Sequence, residues 1–108
     1  MSDPYKERLV QRITKNLLDV QILRLVQMRP MWGYMIKKYA QTKFDVKVRH
    51  GALYPLLNNL EKESFLTSEK QSKGGRKRKV YMITQKGRHY LETYDGILRE
   101  QLSRKDIE

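Results

Sequence analysis

The run KQSKGGRKRK, residues 70–79, holds six Lys or Arg and no acid, with Gly74-Gly75 at its centre and no apolar side chain to bury. Such a run is a solvated disordered segment, a transport or nucleic-acid tag, or the exposed tip of a hairpin that meets phosphate. Its neighbours decide. Leu66 leads into the run, Val80 to Thr84 lead out of it with Tyr81 and Ile83 on one face, and the Gly-Gly pair tolerates the positive φ of a tight turn. A β-hairpin is therefore predicted over 66–84, with a basic tip and a basic returning arm.

Helices are predicted on both sides. After the hairpin, Thr84 is placed to cap a last helix to about Arg104, in which Tyr90, Leu91, Tyr94, Ile97, Leu98 and Leu102 form a stripe at three- and four-residue spacing. Before it, RHGALYPLLNNLEKE (49–63) reads as a helix with Leu53, Leu56, Leu57 and Leu60 inward. Pro55 has no amide to donate and clashes with the carbonyl of Gly51, costs that shrink if the helix begins between His50 and Ala52. Arg49, His50, Ala52 and Tyr54 then gather at its N-terminal end. Val46 and Val48 alternate about Lys47 as a very short strand would. Further back, Pro30 and Gly33 break the chain at PMWGY (30–34), and Tyr34, Ile36, Tyr39 and Ala40 recur at helical spacing among lysines. Leu18, Ile22, Leu25 and Val26 form a preceding helix that Asn16 is placed to cap. Asp3-Pro4 opens an N-terminal helix carrying Tyr5, Leu9, Ile13 and Leu17.

A chain of 108 residues forms one domain with a high surface-to-volume ratio, so a partner chain is expected to complete part of its apolar surface. The absence of Cys excludes disulfides, thiolate metal sites and Cys nucleophiles. MSDPYKERLVQR lacks the apolar core of a signal peptide and no apolar run approaches spanning length, so a cytoplasmic chain with no membrane partner is expected. Segment 37–50 sets Lys37, Lys38, Lys43, Lys47 and Arg49 against Asp45, a net +4, and segment 70–79 adds +6, together +10 of the chain's net +11. Charge concentrated in two patches points to a polyanion surface.

The order of elements is that of a mainly α protein with a small β-hairpin, a winged helix-turn-helix with an added N-terminal helix and a C-terminal dimerisation helix. The division expected within a single domain, 1–108, is an N-terminal helix at 1–16, a core at 17–84 with its wing at 66–84, and the dimerisation helix at 85–108. In such folds one helix enters the DNA major groove and the hairpin reaches the adjacent backbone. GYMIKKY (33–39), GALYPLLNNLEKE (51–63) and GGRKRKVYMITQKGRHYL (74–91), in that order, resemble the successive signatures of PadR-type transcriptional regulators. The resemblance runs from about Leu17 to Leu91. It implies a homodimer joined through the C-terminal helix that represses promoters, often until a small-molecule effector releases it. Ala52 stands where the family usually has Thr or Ser, Ser64 where glycine usually ends the recognition helix, and Arg49-His50 where a Ser-Pro type pair is common. The only tryptophan, Trp32, lies outside the C-terminal helix.

The expected partner is double-stranded DNA carrying a pseudo-palindromic operator. Its expected contacts are Lys37, Lys38, Arg49, His50, Ala52, Tyr54 and Asn58 on the helices and Lys73, Arg76, Lys77 and Arg78 on the wing. The expected dimer interface is Tyr90, Tyr94, Ile97, Leu98 and Leu102. Several have an ordinary alternative: a solvated loop for Arg76, Lys77 and Arg78, cover over the core for Tyr54, simple exposure for Asn58; His50 reads as a phosphate or base donor. Asn can read adenine bidentately. Trp32 reads as core or interface ahead of an effector platform, and His89 as an ordinary helix residue. An architectural protein that coats DNA with little sequence preference, or a winged-helix module for protein or RNA, would share much of this pattern. Two His, no Cys, carboxylates scattered mainly among lysines, and neither a zinc-binding helix motif nor a Walker-type loop leave nothing to build an active site from. No enzyme activity, metal or cofactor is expected.

Overall fold

In a computed structural model, which describes residues 3–45 and 47–104 and omits the His50 side chain, eight elements follow one another. They are α1 (Lys6–Asn16), α2 (Leu18–Met28), β1 (Met31–Trp32), α3 (Gly33–Phe44), α4 (His50–Lys62), β2 (Leu66–Lys73), β3 (Arg76–Ile83) and α5 (Gln85–Ser103). Apolar spacing explains the helices. α2 lies at the centre, burying Val20, Ile22, Leu23, Leu25 and Val26; Ile36 and Ala40 of α3, Leu53, Leu57 and Leu60 of α4, Leu66, Tyr81 and Leu91 close the core around it. α1 buries no residue.

The hairpin forms as its turn residues require. Gly74 and Gly75 take φ of +59° and +80°, and Lys73 pairs with Arg76 across a two-residue turn that L side chains enter only at a cost. α4 does start at His50. The Gly51 carbonyl that Pro55 cannot satisfy belongs to an exposed first-turn residue, where water can serve it.

Three local expectations are corrected. α1 begins at Lys6 and not at Pro4, with Tyr5 in the cap position and its amide donating to Asp3 Oδ1 at 2.8 Å. Asn16 is the last residue of α1, not the cap of α2: α1 runs into α2 with a break only at Leu17, whose amide still bonds the Ile13 carbonyl at 3.0 Å. The segment Lys47–Arg49 is irregular, although Val48 is buried as the alternation implied; Val46 lies outside the described residues. The short strand that forms is β1, which pairs antiparallel with β3 through Met31↔Tyr81 and Trp32↔Val80 and makes a sheet of order β1-β3-β2. Two residues between Pro30 and Gly33 are too few to show a strand period.

Candidate nucleic-acid interface

α4 is two-faced. Leu53, Leu57 and Leu60 are buried, whereas Ala52, Pro55, Asn58, Asn59 and Lys62 are exposed, and Arg49 stands exposed just before its first turn. The partial positive charge of the helix N-terminus adds to that of Arg49 there. Tyr54 belongs to both environments. It is 41% exposed, yet a Cβ on Gly33 would stand 2.8 Å from its hydroxyl oxygen, so the glycine of the GY pair is what lets α4 cross close to the start of α3. On α3 itself, Tyr34, Lys37, Lys38 and Gln41 line a shallow depression, with Lys38 exposed and Lys37 half-buried.

The wing cations differ in their surroundings. Lys73 and Arg76 face each other across the strands, as do Lys70 and Lys79, so two like-charged pairs sit in one hairpin, an arrangement that costs stability. Alternation along β3 puts Lys77 and Lys79 on the face of Tyr81 and Ile83, and Arg76 and Arg78 on the face of Val80. Lys79 Nζ lies 2.8 Å from Glu61 Oε1 of α4, and the Ser68 hydroxyl donates to the same carboxylate. The bonds from Lys79 and Ser68 hold the Glu61 carboxyl below its ordinary range, and the bond to Glu61 holds the Lys79 ammonium above its own. Burial pushes the Tyr81 hydroxyl up. Arg78 lies with Cζ 4.0 Å from the Trp32 ring centre. Lys73, Arg76 and Lys77 are exposed, and no ion pair involves them among the described residues.

The five expected interface residues of α5 divide. Tyr90 and Tyr94 are half-buried against the core, the Tyr90 ring 4.3 Å from that of Phe65 and 6.5 Å from that of Tyr94. Ile97, Leu98 and Leu102 are exposed, and so are Tyr5, Leu9 and Ile13 of α1. A groove of about 410 Å³ runs between α2 and α5, lined in part by Leu17, Val20, Leu91, Tyr94 and Leu98.

The sequence reading missed the Glu61–Lys79 pair and the Arg78–Trp32 stack. The alternation of β3 separates Lys79 from Arg78, but nothing local reveals what either meets. Among the described residues no group of three or more His, Cys, Asp or Glu could hold a metal, and no helix is long and apolar enough to cross a membrane.

Comparison with known proteins gives three kinds of likeness. Residues 22–93 match the family model described as transcriptional regulator PadR-like family. A Mycobacterium tuberculosis (strain ATCC 25618 / H37Rv) protein, transcriptional regulator Rv3488, is 42% identical over 64 residues, 59% of this chain and 59% of that protein, so the match spans about three fifths of the relative's length. The structure of a PadR-like transcription factor from Bacteroides fragilis superposes with a TM-score of 0.74 at 27% identity, covering 92% of each chain. Bacillus subtilis PadR, solved in complex with operator DNA, superposes with a TM-score of 0.68 at 27% identity over 72% of this chain and 45% of its own.

Proposed function

This chain belongs to the PadR-like family of transcriptional regulators, and from that premise we propose that it is a sequence-specific repressor that binds a pseudo-palindromic operator as a homodimer. The observation that carries the reading is the wing: Lys73, Arg76 and Lys77 stand exposed, without an ion pair among the described residues, on a hairpin that like-charged neighbours strain, and phosphate relieves that strain. α4 is the element for the major groove. Arg49 and Asn58 can reach base edges, Tyr54 offers its exposed edge, and Ala52 brings the helix close without a hydroxyl. Lys37 and Lys38 of α3 are suited to the flanking phosphates. Bacillus subtilis PadR, crystallised on operator DNA, supports the same use of the fold. The open apolar side chains of α5, with those of α1, support a dimer.

Selection from a random duplex library with the purified protein is the test. A single enriched motif with two inverted half-sites is expected. Replacing Lys73, Arg76 and Lys77 with Ala should flatten the log K against log salt line by about 0.9 for every phosphate that no longer meets a cation, weakening all DNA alike. Arg49→Ala or Asn58→Ala should instead change the motif, at about 1–3 kcal/mol where a bidentate hydrogen-bond pair to a base is broken. Equal affinity for every duplex would identify a DNA-coating protein, and no affinity for duplex DNA would identify a protein or RNA module.

A further inference from the structure

β1 has only two residues, and they face opposite ways. Met31 enters the core, while Trp32, paired with Val80, lies on the other face of the sheet. Alternation brings Arg78 to that same face, one step closer to the wing tip, with its guanidinium carbon 4.0 Å from the Trp32 ring centre. Arg78 is half-buried, and its Nε is shielded from solvent without a hydrogen-bond partner among the described residues. At that distance the guanidinium is attracted to the face of the indole, which offsets part of the cost of the unmet donor. Tyr34 continues the stack, its ring 5.2 Å from that of Trp32 and tilted by 31°, into the first turn of α3.

The outer half of β3 needs such a hold. Among the described residues the strand has no β1 partner beyond Trp32, so outside its ladder with β2 the stem is held from its two faces, Lys79 by Glu61 of α4 and Arg78 by Trp32. We propose that Trp32 is a positioning residue for DNA binding, which through Arg78 fixes the wing stem against the start of α3, so that Arg76 and Lys77 meet phosphate at a set distance from α4. Arg78 then supplies placement and does not itself touch phosphate. The proposal rests on the DNA-binding reading above and deepens it.

The test titrates the full chain against a labelled random-sequence DNA duplex at several salt concentrations. The proteins are wild type, Trp32→Ala, Trp32→Phe, Arg78→Ala, the double Trp32→Ala/Arg78→Ala variant and Arg76→Ala. Trp32→Ala and Arg78→Ala should each weaken binding by about three- to tenfold, the double variant by no more than either single one, and Trp32→Phe should recover most of the loss. The salt slope should stay at the wild-type value in all of these, whereas Arg76→Ala flattens it by about 0.9. Because Trp32 is the only tryptophan, its emission reads the stack directly and should shift to the red in Arg78→Ala as the ring is uncovered. Three results overturn the proposal: Trp32→Ala that unfolds cooperatively and binds like wild type, Arg78→Ala that flattens the slope as Arg76→Ala does, or Trp32 emission that ignores Arg78. Should Trp32→Ala fail to fold, the slope and emission of Arg78→Ala decide. Wild-type protein that binds no duplex DNA sinks the underlying reading as well, while normal wild-type binding beside a folded Trp32→Ala protein that binds equally tightly sinks this proposal alone.

Discussion

A methyl group at Gly87 would stand 2.3 Å from the Phe65 carbonyl oxygen and 2.8 Å from Ile83 Cγ1, because the start of α5 is bolted directly onto the end of α4. Thr84 Oγ1 donates to the Ser64 carbonyl at 2.6 Å and accepts from the Gly87 amide at 3.0 Å, and Lys86 Nζ reaches the Glu63 carbonyl at 3.0 Å. The same joint ends α4: the amides of Phe65 and Ser64 bond the carbonyls of Leu60 and Glu61, both at 2.9 Å, with Ser64 at φ +67° in the place a glycine usually takes. Two substitutions should therefore move stability in opposite directions. Gly87→Ala meets backbone that cannot yield and should cost about 1–3 kcal/mol, read as a lower denaturant midpoint. Ser64→Gly removes left-handed strain and should add up to about 1 kcal/mol of stability, read as a higher midpoint; an unchanged or lower midpoint would mean that the serine side chain contributes something there. The irregularity at Ser64 was legible only through the family resemblance, in which a glycine usually stands at that helix end. The crowding at Gly87 was not, because the atom it meets belongs to a distant residue.

Among elements, the hairpin was the most legible, since a Gly-Gly turn between two strand patterns fixes both its place and its register. What the wing leans on was not legible. Glu61 follows Leu60 at the end of α4 with no sign of a partner, and only the folded chain sets it against Lys79 and Ser68. This pairing makes a pH-dependent brace. With the Glu61 carboxyl held below its ordinary 4.5, chiefly by Lys79, the brace is fully present above that value and disappears as pH falls through the lower folded-state value. With Lys79 held above its ordinary 10.5, the contribution is full below that value and disappears as pH rises through the higher one. The two limits bracket neutral pH. Glu61 and Lys79 are 30% and 42% exposed, so solvent screens the pair and Glu61→Gln should cost less than about 1 kcal/mol on this plateau. Denaturant midpoints of wild type and Glu61→Gln should converge as pH drops below 4.5; a constant gap down to low pH would show that the carboxylate charge is not what braces the wing.

For the whole molecule the question is what covers the apolar side chains that one copy leaves open. The stripe on α5 was legible as a stripe, but its spacing cannot tell which turn leaves the core, and the structure puts that point after Tyr94: Tyr90 and Tyr94 pack inward, while Leu102 is 86% exposed. Tyr5, Leu9 and Ile13 of α1, a helix with nothing buried, add a second open row. Gly96 lies in the same outer half of α5 with nothing within 4 Å of where its Cβ would be, and a helix-interior glycine costs about 1 kcal/mol relative to Ala. In an isolated chain Gly96→Ala should therefore stabilise α5; where two backbones approach it should weaken association. A C₂ pair joined through α5 would carry two copies of α4 to half-sites about one helical turn apart. Burial of one Leu is worth about 1.5–3 kcal/mol, and Leu98→Asp places its charge in both subunits at once. Light scattering should show a dimeric wild type, a monomeric Leu98→Asp protein without preference for the palindrome, and a Gly96→Ala protein that dissociates at higher concentration than wild type. A monomeric wild type rejects the dimer, and a dimeric Leu98→Asp protein with normal operator binding moves the interface away from α5.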